Sequence, residues 1–251
     1  MQHKYGILQN KNAIITGAAS GIGYATVKVF AENGANIWAC ARTQNDEFEI
    51  YLTQLAEENH VWIRPVYFEL TDNEQMKKTI LKIKKEEDKI DILINNAGMA
   101  YDALLPMISM EKSYELFNVN FFAQLQFAQL VSRQMVRKKQ GCIVNISSYL
   151  GFDGNRGQTI YSASKGAVNA MTKSLAKELA DYGIRVNAVA PGVVDTKLIR
   201  TMSESDYIKI MERCPLHRSA QPREIANMVM VLASDLSSYV TGEVIRVDGG
   251  I

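Results

Sequence analysis

The stretch Ala13-Ile14-Ile15-Thr16-Gly17-Ala18-Ala19-Ser20-Gly21-Ile22-Gly23 decides the fold. It begins as a short apolar run typical of a buried strand, and a helical pattern opens among its glycines. A strand, a glycine-rich turn and a helix in this order point free backbone N–H groups toward a phosphate. Gly17 permits the tight turn, Gly21 lets the backbone approach a phosphate, and Gly23 lets the helix pack on the strand. Because the spacing differs from the commoner Gly-x-Gly-x-x-Gly, a purely structural glycine turn stays open for this motif alone.

The same alternation of strand and helix continues through all 251 residues, a length that one core can serve. Strands are predicted at residues 13–16, 36–39, 61–68, 91–94, 142–146, 185–190 and 244–247. Helices are predicted at residues 21–33, 46–59, 73–87, 111–139, 162–182, 203–213 and 222–234. We therefore predict an α/β fold formed by one domain over residues 1–251, with a doubly wound parallel sheet of about seven strands and helices on both faces.

Charge and composition exclude several classes of function. The chain carries 28 Lys and Arg against 27 Asp and Glu, a net charge of +1, so we expect no general attraction to nucleic acid or membrane. No apolar run approaches the length of a spanning helix or a signal peptide. Cys40, Cys142 and Cys214 lack the spacing of a metal site or disulfide framework. We expect reduced thiols, no metal and a cytoplasmic location.

A second polar position follows the second predicted strand, roughly 20 residues past the last glycine of the turn, where dinucleotide-binding folds contact the adenosine ribose. A carboxylate at this position accepts a hydrogen bond from the 2′-hydroxyl of NAD. This chain instead has Ala41 followed by Arg42, which offers a guanidinium to a 2′-phosphate. We therefore predict NADP(H) in preference to NAD(H), with an ordinary exposed arginine as the alternative, since Ser20 is not a companion basic residue.

Tyr161 and Lys165 are four residues apart in a helical segment, so they share one face of the helix. A free tyrosine has a pKa of about 10, and acting as an acid or base near neutrality requires a nearby cation to lower it. Ser148 ends a strand-like run thirteen positions before Tyr161. A hydroxyl at the carboxyl end of a strand can hold a substrate carbonyl oxygen beside the tyrosine.

With these residues in place, Asn95-Asn96-Ala97-Gly98, Asn120 and Pro191-Gly192 followed by Thr196 complete a known set of motifs. The chain resembles the short-chain dehydrogenase/reductases, which have a Rossmann fold, from Thr16 to the Asp248-Gly249-Gly250 end. The resemblance implies an oxidoreductase that moves hydride between NADP(H) and a ketone or alcohol.

The resemblance also implies the catalytic roles. Tyr161 is the expected general acid/base, Lys165 lowers its pKa and binds the nicotinamide ribose, and Ser148 orients the carbonyl. Asn120 is expected to hold a water that links Lys165 to solvent in a proton relay.

Two neighbours of these residues are rejected on the same resemblance. Asn118 is set aside because the asparagine of the family follows the valine in Asn118-Val119-Asn120. Ser147 is set aside because the thirteen-residue interval to the tyrosine fits only Ser148.

Further residues are carried over for binding. Those expected to bind the cofactor are Gly17, Ser20, Gly21, Ile22, Gly23, Arg42, Glu69, Leu70, Asn96, Ala97, Gly98, Tyr161, Lys165, Pro191, Gly192, Val194 and Thr196. Those expected to bind the substrate are Ser148, Tyr149, Asn155, Tyr161 and Val193, and the segment 191–215 is the expected substrate-binding loop. Loops of this kind differ freely between enzymes that share one catalytic set.

The likeness within the family is greatest to 3-oxoacyl-[acyl-carrier-protein] reductases, so the substrate is expected to be a small carbonyl or alcohol, free or presented on a carrier protein. Sugar, polyol and steroid dehydrogenases share the same motifs and stay open. A carrier protein is acidic and calls for a basic rim, for which Arg133, Lys138 and Lys139 are the candidates. A protein that binds NADP(H) without turnover, as a sensor or scaffold, is the alternative from another class, although the catalytic set is complete.

Surplus apolar surface predicts self-association. Residues 116–135 place apolar groups on more than one face of a predicted helix, which is wider than the stripe needed to cover a sheet. Residues 162–182 are similarly over-provided, with small residues that permit close approach. We therefore predict a homodimer or homotetramer, since two-fold packing of such helices leaves no apolar patch exposed.

Overall fold

The computed structural model describes residues 6–197, 199 and 204–251. Residues 1–5 of the predicted single domain, residues 198 and 200–203 of the predicted substrate-binding segment 191–215, and the first residue of the helix predicted at 203–213 lie outside these ranges.

Seven strands form one sheet, and each overlaps one of the predicted strand segments. They are β1 (Asn12–Thr16), β2 (Asn36–Ala41), β3 (Ile63–Tyr67), β4 (Ile92–Asn95), β5 (Gly141–Ile146), β6 (Ile184–Pro191) and β7 (Val244–Val247). The strand order is β3-β2-β1-β4-β5-β6-β7, and every neighbouring pair is parallel. The predicted doubly wound α/β sheet is thus confirmed.

Helices cover both faces of the sheet. Their bounds are α1 (Gly21–Glu32), α2 (Asp46–Asn59), α3 (Asn73–Glu86), α4 (Met110–Phe117), α5 (Ala123–Lys138), α6 (Leu150–Asp153), α7 (Thr159–Leu179), α8 (Glu204–Arg213) and α9 (Pro222–Ala233). Alternate residues of each strand face opposite cores. Ile15 of β1 packs in the core that α1, α2 and α9 cover, whereas Ile14 packs in the core of α3, α5 and α7.

The predicted continuous helix over residues 111–139 is wrong. The chain there forms α4, a π-helical turn at Asn118–Phe122 and then α5. The extra residue in a π turn shifts the helical register without disturbing the apolar pattern enough to be seen in the sequence. The turn places Asn120 in the interior, where its side chain is fully buried.

The sheet topology brings the motif-bearing loops to one edge. The chain runs from β1 to one side and later returns to its other side with β4, so the order reverses between these two strands. Such a switch point, at the carboxyl ends of parallel strands, is where open α/β sheets bind ligands. The loops that follow β1, β4, β5 and β6 all begin there.

The described residues carry neither a membrane-crossing helix nor a metal-type cluster. No helix within the described ranges combines the length and apolar character of a spanning segment. Those same ranges contain no grouping of three or more His, Cys, Asp or Glu side chains that could hold a metal ion. All three cysteines are buried with free thiols, and burial raises the pKa of Cys142 to about 11, which makes it a poor nucleophile near neutrality.

Candidate active site

The glycine-rich turn between β1 and α1 has the backbone that its sequence requires. Gly17 has a φ of +65° and Gly21 a φ of +54°, both in the left-handed region that favours glycine. A Cβ at Gly23 would collide with the carbonyl oxygen of Gly17. Gly23 therefore serves the close approach of helix to strand that the sequence predicted.

The start of α1 is open to an anion. Ser20 precedes the helix without a capping hydrogen bond from its side chain, and the first turn contains no acidic residue. The N–H groups of this turn and the positive end of the helix dipole therefore point outward without a competing carboxylate.

Asn96 fastens the loop after β4 to this turn. Its side-chain amide donates to the carbonyl oxygens of Thr16, at 2.9 Å, and Gly17, at 3.2 Å. In return, the Thr16 hydroxyl accepts from the backbone N–H groups of Asn96, at 2.9 Å, and Ala97, at 3.1 Å. These bonds hold the two loops that flank the switch point in one arrangement. Asn96 thus supports the site by bonding to the backbone of the glycine-rich turn.

A cleft with a volume of about 950 Å³ opens at this edge of the sheet. Ser148, Tyr161 and Lys165 line it together with Ser20, Gly21 and Ile22 of the glycine-rich turn. The predicted reacting groups and the predicted phosphate-binding turn therefore face one common space. This juxtaposition comes from residues that lie more than a hundred positions apart in the chain.

Tyr161 lies at the start of α7 with its ring partly exposed along the cleft. Desolvation by the protein around it raises its pKa to about 12, while a hydrogen bond with the Ser148 hydroxyl acts in the opposite direction. In the chain by itself the expected lowering of this pKa by Lys165 is absent. The Lys165 ammonium lies 5.8 Å from the centre of the Tyr161 ring, and burial lowers the pKa of Lys165 itself to about 8.

Lys165 and Asn120 face each other across Gly98. The Lys165 ammonium donates to the carbonyl oxygen of Ile146 at 2.9 Å. A Cβ built on Gly98 would lie 3.3 Å from Asn120 Oδ1 and 3.7 Å from Lys165 Nζ. The backbone of Gly98 therefore runs between the two polar side chains and leaves room for both.

The π turn aims the Asn120 side chain at the loop after β4. Asn120 Oδ1 accepts from the backbone N–H of Met99 at 2.8 Å, and its amide donates to the Met99 carbonyl oxygen at 2.9 Å. The same amide lies 3.2 Å from the Ser164 hydroxyl. Asn120 is thus tied both to the cleft loop and to the helix that carries Lys165.

The two rejected neighbours face elsewhere. Asn118 is exposed at the start of the π turn, whereas Asn120 is buried. Ser147 directs its hydroxyl to Asn169 Oδ1, at 2.5 Å, and to the carbonyl oxygen of Lys165, at 3.3 Å. Its bonding capacity is used inside the fold, which agrees with the choice of Ser148 as the residue for a substrate carbonyl.

The predicted cofactor residues divide into two groups. Those that line the cleft are Ser20, Gly21, Ile22, Asn96, Gly98, Tyr161, Lys165, Pro191, Gly192, Val194 and Thr196. Those that do not line it are Gly17, Gly23, Arg42, Glu69, Leu70 and Ala97. Gly17 and Gly23 form the glycine-rich turn, and Ala97 is bonded to it from the loop after β4. Arg42 follows β2, and Glu69 and Leu70 follow β3, outside the cleft lining.

Arg42 lies directly after β2, next to the glycine-rich turn. The backbone N–H of Ala18 donates to the carbonyl oxygen of Cys40 at 2.9 Å, which brings the end of β2 against the turn. Arg42 is exposed, and it makes no ion pair or side-chain hydrogen bond within the described part of the chain. Glu69, just past β3, instead turns its carboxylate to Thr71, whose N–H and hydroxyl lie 3.1 and 3.0 Å away.

The residues fit a dinucleotide, because the glycines of the turn leave open a space that larger side chains at these positions would fill. A Cβ on Gly17 would come within 2.8 Å of Asn96 Nδ2, and a Cβ on Gly21 within 3.3 Å of Thr196 Cγ2. Backbone amides at a helix N-terminus, the Thr196 hydroxyl and the Lys165 ammonium are donors suited to phosphate, carboxamide and ribose groups.

The substrate end of the cleft contains the three predicted residues Tyr149, Asn155 and Val193. Sequence reasoning missed four others, because they come from segments without a motif: Asp102, Leu104, Arg156 and Gln158. Lys209 and Arg213 also line the cleft, from α8 within the predicted substrate-binding segment 191–215. The basic rim for a carrier protein, with Arg133, Lys138 and Lys139 as its candidates, stays a prediction. None of these three lines the cleft, and the Lys138 ammonium pairs with Asp88 at 2.5 Å.

With this geometry, comparison with known proteins identifies the class. A family model described as "Enoyl-(Acyl carrier protein) reductase" matches residues 17–251. The chain belongs to the short-chain dehydrogenase/reductase family of oxidoreductases, which act on CH–OH and C=O groups.

Three relatives illustrate the range of the family. A 3-oxoacyl-[acyl-carrier-protein] reductase from Thermotoga maritima is 43% identical over 97% of this chain and 98% of its own length. A 3α-hydroxysteroid dehydrogenase from Mediterraneibacter gnavus is 38% identical over 97% of each chain. A crystal structure from Beutenbergia cavernae, provisionally described as an NAD(P)-dependent gluconate 5-dehydrogenase with bound NADP at low occupancy, is 34% identical with a TM-score of 0.90, covering 97% of each chain.

Proposed function

We propose that the protein is an NADP(H)-dependent reductase of 3-oxoacyl groups, with the substrate free or on an acyl carrier protein and Tyr161 as the general acid/base. The observation that carries the proposal is that Ser148, Tyr161 and Lys165 line one cleft with the glycine-rich turn. The 3-oxoacyl substrate is supported by the identity of 43% with a relative that bears this name.

In the proposed reaction Ser148 orients the substrate carbonyl, and Tyr161 protonates its oxygen. The bound cofactor supplies the hydride and, once oxidised, a positive charge close to the phenol. That charge would oppose the desolvation that raises the pKa of Tyr161 in the chain alone, where Lys165 does not lower it. Lys165 also holds the ribose, and Asn120 holds a water through which Lys165 returns the proton taken from the phenol.

The cofactor is held along the row of cleft residues from Ser20 to Thr196. The N-terminus of α1, where no acidic side chain competes, would hold its pyrophosphate. Arg42 would bind the 2′-phosphate, which would give the preference for NADP(H) over NAD(H). An exposed guanidinium without an ion pair in the described ranges is free to do so.

A sugar-acid dehydrogenase is the second candidate. The neighbour from Beutenbergia cavernae supports it, since its TM-score of 0.90 covers nearly all of both chains. The polar lining by Asn155 and Gln158 suits hydroxyl groups. The steroid relative leaves a third substrate class within the same reaction.

The test is a panel of 3-oxoacyl thioesters, keto sugars, sugar acids and ketosteroids, followed by NADPH absorbance in wild type and two matched variants. Tyr161→Phe should lose at least about 99% of kcat, since the proton donor is removed while NADPH binding is nearly intact. Tyr182→Phe, which removes a surface phenol just past α7, should keep it. More than a few per cent of wild-type kcat in Tyr161→Phe would show that another residue supplies the proton. If no 3-oxoacyl thioester is turned over while a substrate of another class is, the proposed 3-oxoacyl substrate is wrong.

The chain is further proposed to act as one domain whose segment 191–215 shapes the substrate end, and to assemble as a homodimer or homotetramer. Large apolar side chains are exposed in and just before the region of α4 and α5, among them Met107 at 75%, Tyr114 at 70% and Phe122 at 56%. Such a concentration of apolar surface is typical of a covered face. Light scattering at micromolar concentration tests the assembly, and a monomer mass would contradict it.

A further inference from the structure

The substrate end of the cleft is lined with positive charge. Arg156 and Arg213 line it, as do Lys197 and Lys209, and Asp102 is the one acidic residue among the described lining residues. The whole chain has a net charge of only +1, so this local excess is not an average property of the surface. A cleft lined by one sign of charge concentrates ligands of the opposite sign.

The two arginines lack the partners that other arginines of this protein have. Arg218, Arg223 and Arg246 pair with carboxylates at 2.7, 2.6 and 2.8 Å. Arg156 and Arg213, by contrast, make no ion pair or side-chain hydrogen bond within the described ranges. None of the described side chains therefore occupies their guanidinium donors, which suit an anionic ligand.

Arg156 is carried by a loop whose backbone is fixed. It lies between α6 and α7, where the carbonyl oxygen of Gly157 accepts from the backbone N–H of Ala103 at 2.7 Å. Asp102 and Arg156 form no ion pair, and the Asp102 carboxylate accepts from the Gln158 amide at 3.1 Å. The loop leads directly into the helix that carries Tyr161, and Arg156 and Tyr161 line the same cleft.

Arg213 approaches the same space from α8. Its charge acts on the Tyr149 phenol, opposing the rise in pKa that burial causes there. As a basic residue in the last turn, Arg213 also stabilises the C-terminus of α8 through the helix dipole. That role explains neither why the side chain lines the cleft nor why Arg156 lines it too.

We propose that the substrate carries an anionic group, a carboxylate or a phosphate, which Arg156 and Arg213 bind while its carbonyl lies at Ser148 and Tyr161. The inference rests on the proposed function, which places the substrate carbonyl at Ser148 and Tyr161. A planar guanidinium binds either anion through paired charge-assisted hydrogen bonds. The anion is either the carboxylate of a small oxo acid or the phosphate of a pantetheine arm.

Two matched substrate pairs distinguish the sources. Acetoacetyl-CoA and the neutral acetoacetyl-N-acetylcysteamine test the phosphate, and 4-oxopentanoate and its methyl ester test the carboxylate. We expect kcat/KM for the anionic member of at least one pair to exceed that of its neutral partner by about tenfold or more. Ratios near one in both pairs would overturn the inference.

The double variant Arg156→Gln/Arg213→Gln should bring the ratio close to one, mainly by lowering kcat/KM for the anionic substrate. Arg137→Gln is the matched control, since this exposed arginine ends α5 and does not line the cleft. An unchanged ratio in the double variant would show that the anion is bound elsewhere. Calorimetry of acetoacetyl-CoA and 4-oxopentanoate binding to the complex with NADP+ compares wild type and the double variant without turnover.

The outcomes separate this inference from the proposed function. Full turnover of the neutral 3-oxo thioester without preference for its anionic partner would overturn the inference and leave the reductase in place. Turnover of oxo acids with a preference that depends on the two arginines, but of no thioester, would support the inference and overturn the 3-oxoacyl substrate.

Discussion

Replacing Arg42 tests the proposed cofactor preference most directly. The guanidinium lies directly after β2, exposed and without an ion pair in the described ranges, so its loss should cost the fold little. A charge-assisted hydrogen bond contributes about 1.5–3 kcal/mol, and exposure to water places the value here toward the lower end. Since each 1.4 kcal/mol is about a factor of ten, wild type should prefer NADPH over NADH by roughly 10- to 100-fold in kcat/KM.

The assay measures kcat/KM for both cofactors in wild type, Arg42→Ala and Ala41→Asp/Arg42→Ala. The single variant should lose most of the preference by weakening NADPH alone. The double variant should reverse it, because a carboxylate repels the 2′-phosphate and accepts from the 2′-hydroxyl of NADH. Arg137→Ala, which removes an exposed arginine from the end of α5, is the control. A wild-type preference for NADH, or an unchanged ratio in Arg42→Ala, would refute the role of Arg42.

Three further predictions concern the buried groups. Burial lowers the pKa of Lys165 to about 8 from an unfolded value of 10.5, so the Lys165 charge destabilises the fold at low pH and this cost is lost as the pH rises. In urea denaturation, the free energy of unfolding of wild type relative to Lys165→Met should rise by about 2 kcal/mol between about pH 7.5 and 9.5, and a constant difference would contradict the prediction. Gly23→Ala should weaken NADPH binding in a fluorescence titration, because its Cβ meets the Gly17 carbonyl oxygen, and an unchanged NADPH affinity would contradict the role of Gly23 in shaping the turn. Asn145→Ala breaks buried hydrogen bonds to Asn95 and Thr172, of 3.0 and 2.9 Å, so thermal or urea unfolding should show a loss of about 2–4 kcal/mol, and a loss under about 1 kcal/mol would mean that water replaces the amide.

The sheet could be predicted from the sequence because its strands are buried on both faces. Such strands consist of continuous apolar runs, as in Ala13, Ile14 and Ile15 of β1, all fully buried. The glycines and polar residues that end them mark the turns. Strand β3 is shorter than predicted, since the backbone N–H of Val61 still bonds to Ala56 at the end of α2.

The π turn at Asn118–Phe122 could not be predicted from periodicity. Phe127 and Val131 of α5 are fully buried in the pattern of an ordinary helix, and so is Leu116 of α4. The apolar stripe therefore looks continuous across the break. The signal that remained was the polar Asn120 within an apolar run, whose bonds to the Met99 backbone require a partner distant in the sequence.

The positive charge of the lining could not be predicted from motifs, although Arg213 lies within the predicted substrate-binding segment 191–215. Arg156 and Arg213 belong to no motif and lie 57 positions apart in the chain. Only the fold brings the loop after α6 and the end of α8 to the same cleft. A count of charges over the whole chain averages such a local excess away, and the longest basic run, at residues 137–139, lies at the exposed end of α5.

The electrostatics of the chain alone suit the direction of reduction. With a pKa of about 12, the Tyr161 phenol keeps its proton at neutral pH, which is the form that an acid donating to a carbonyl oxygen must have. Lys165, with a pKa of about 8, is still mainly charged at neutral pH, and in the proposed mechanism it would replace the proton through the water that Asn120 holds. Oxidation of an alcohol would require the opposite form, the phenolate, which this environment disfavours until a further positive charge lies beside it. In the proposed mechanism, the burial that raises the pKa of Tyr161 therefore keeps the resting phenol ready to donate a proton and makes base catalysis dependent on the oxidised cofactor.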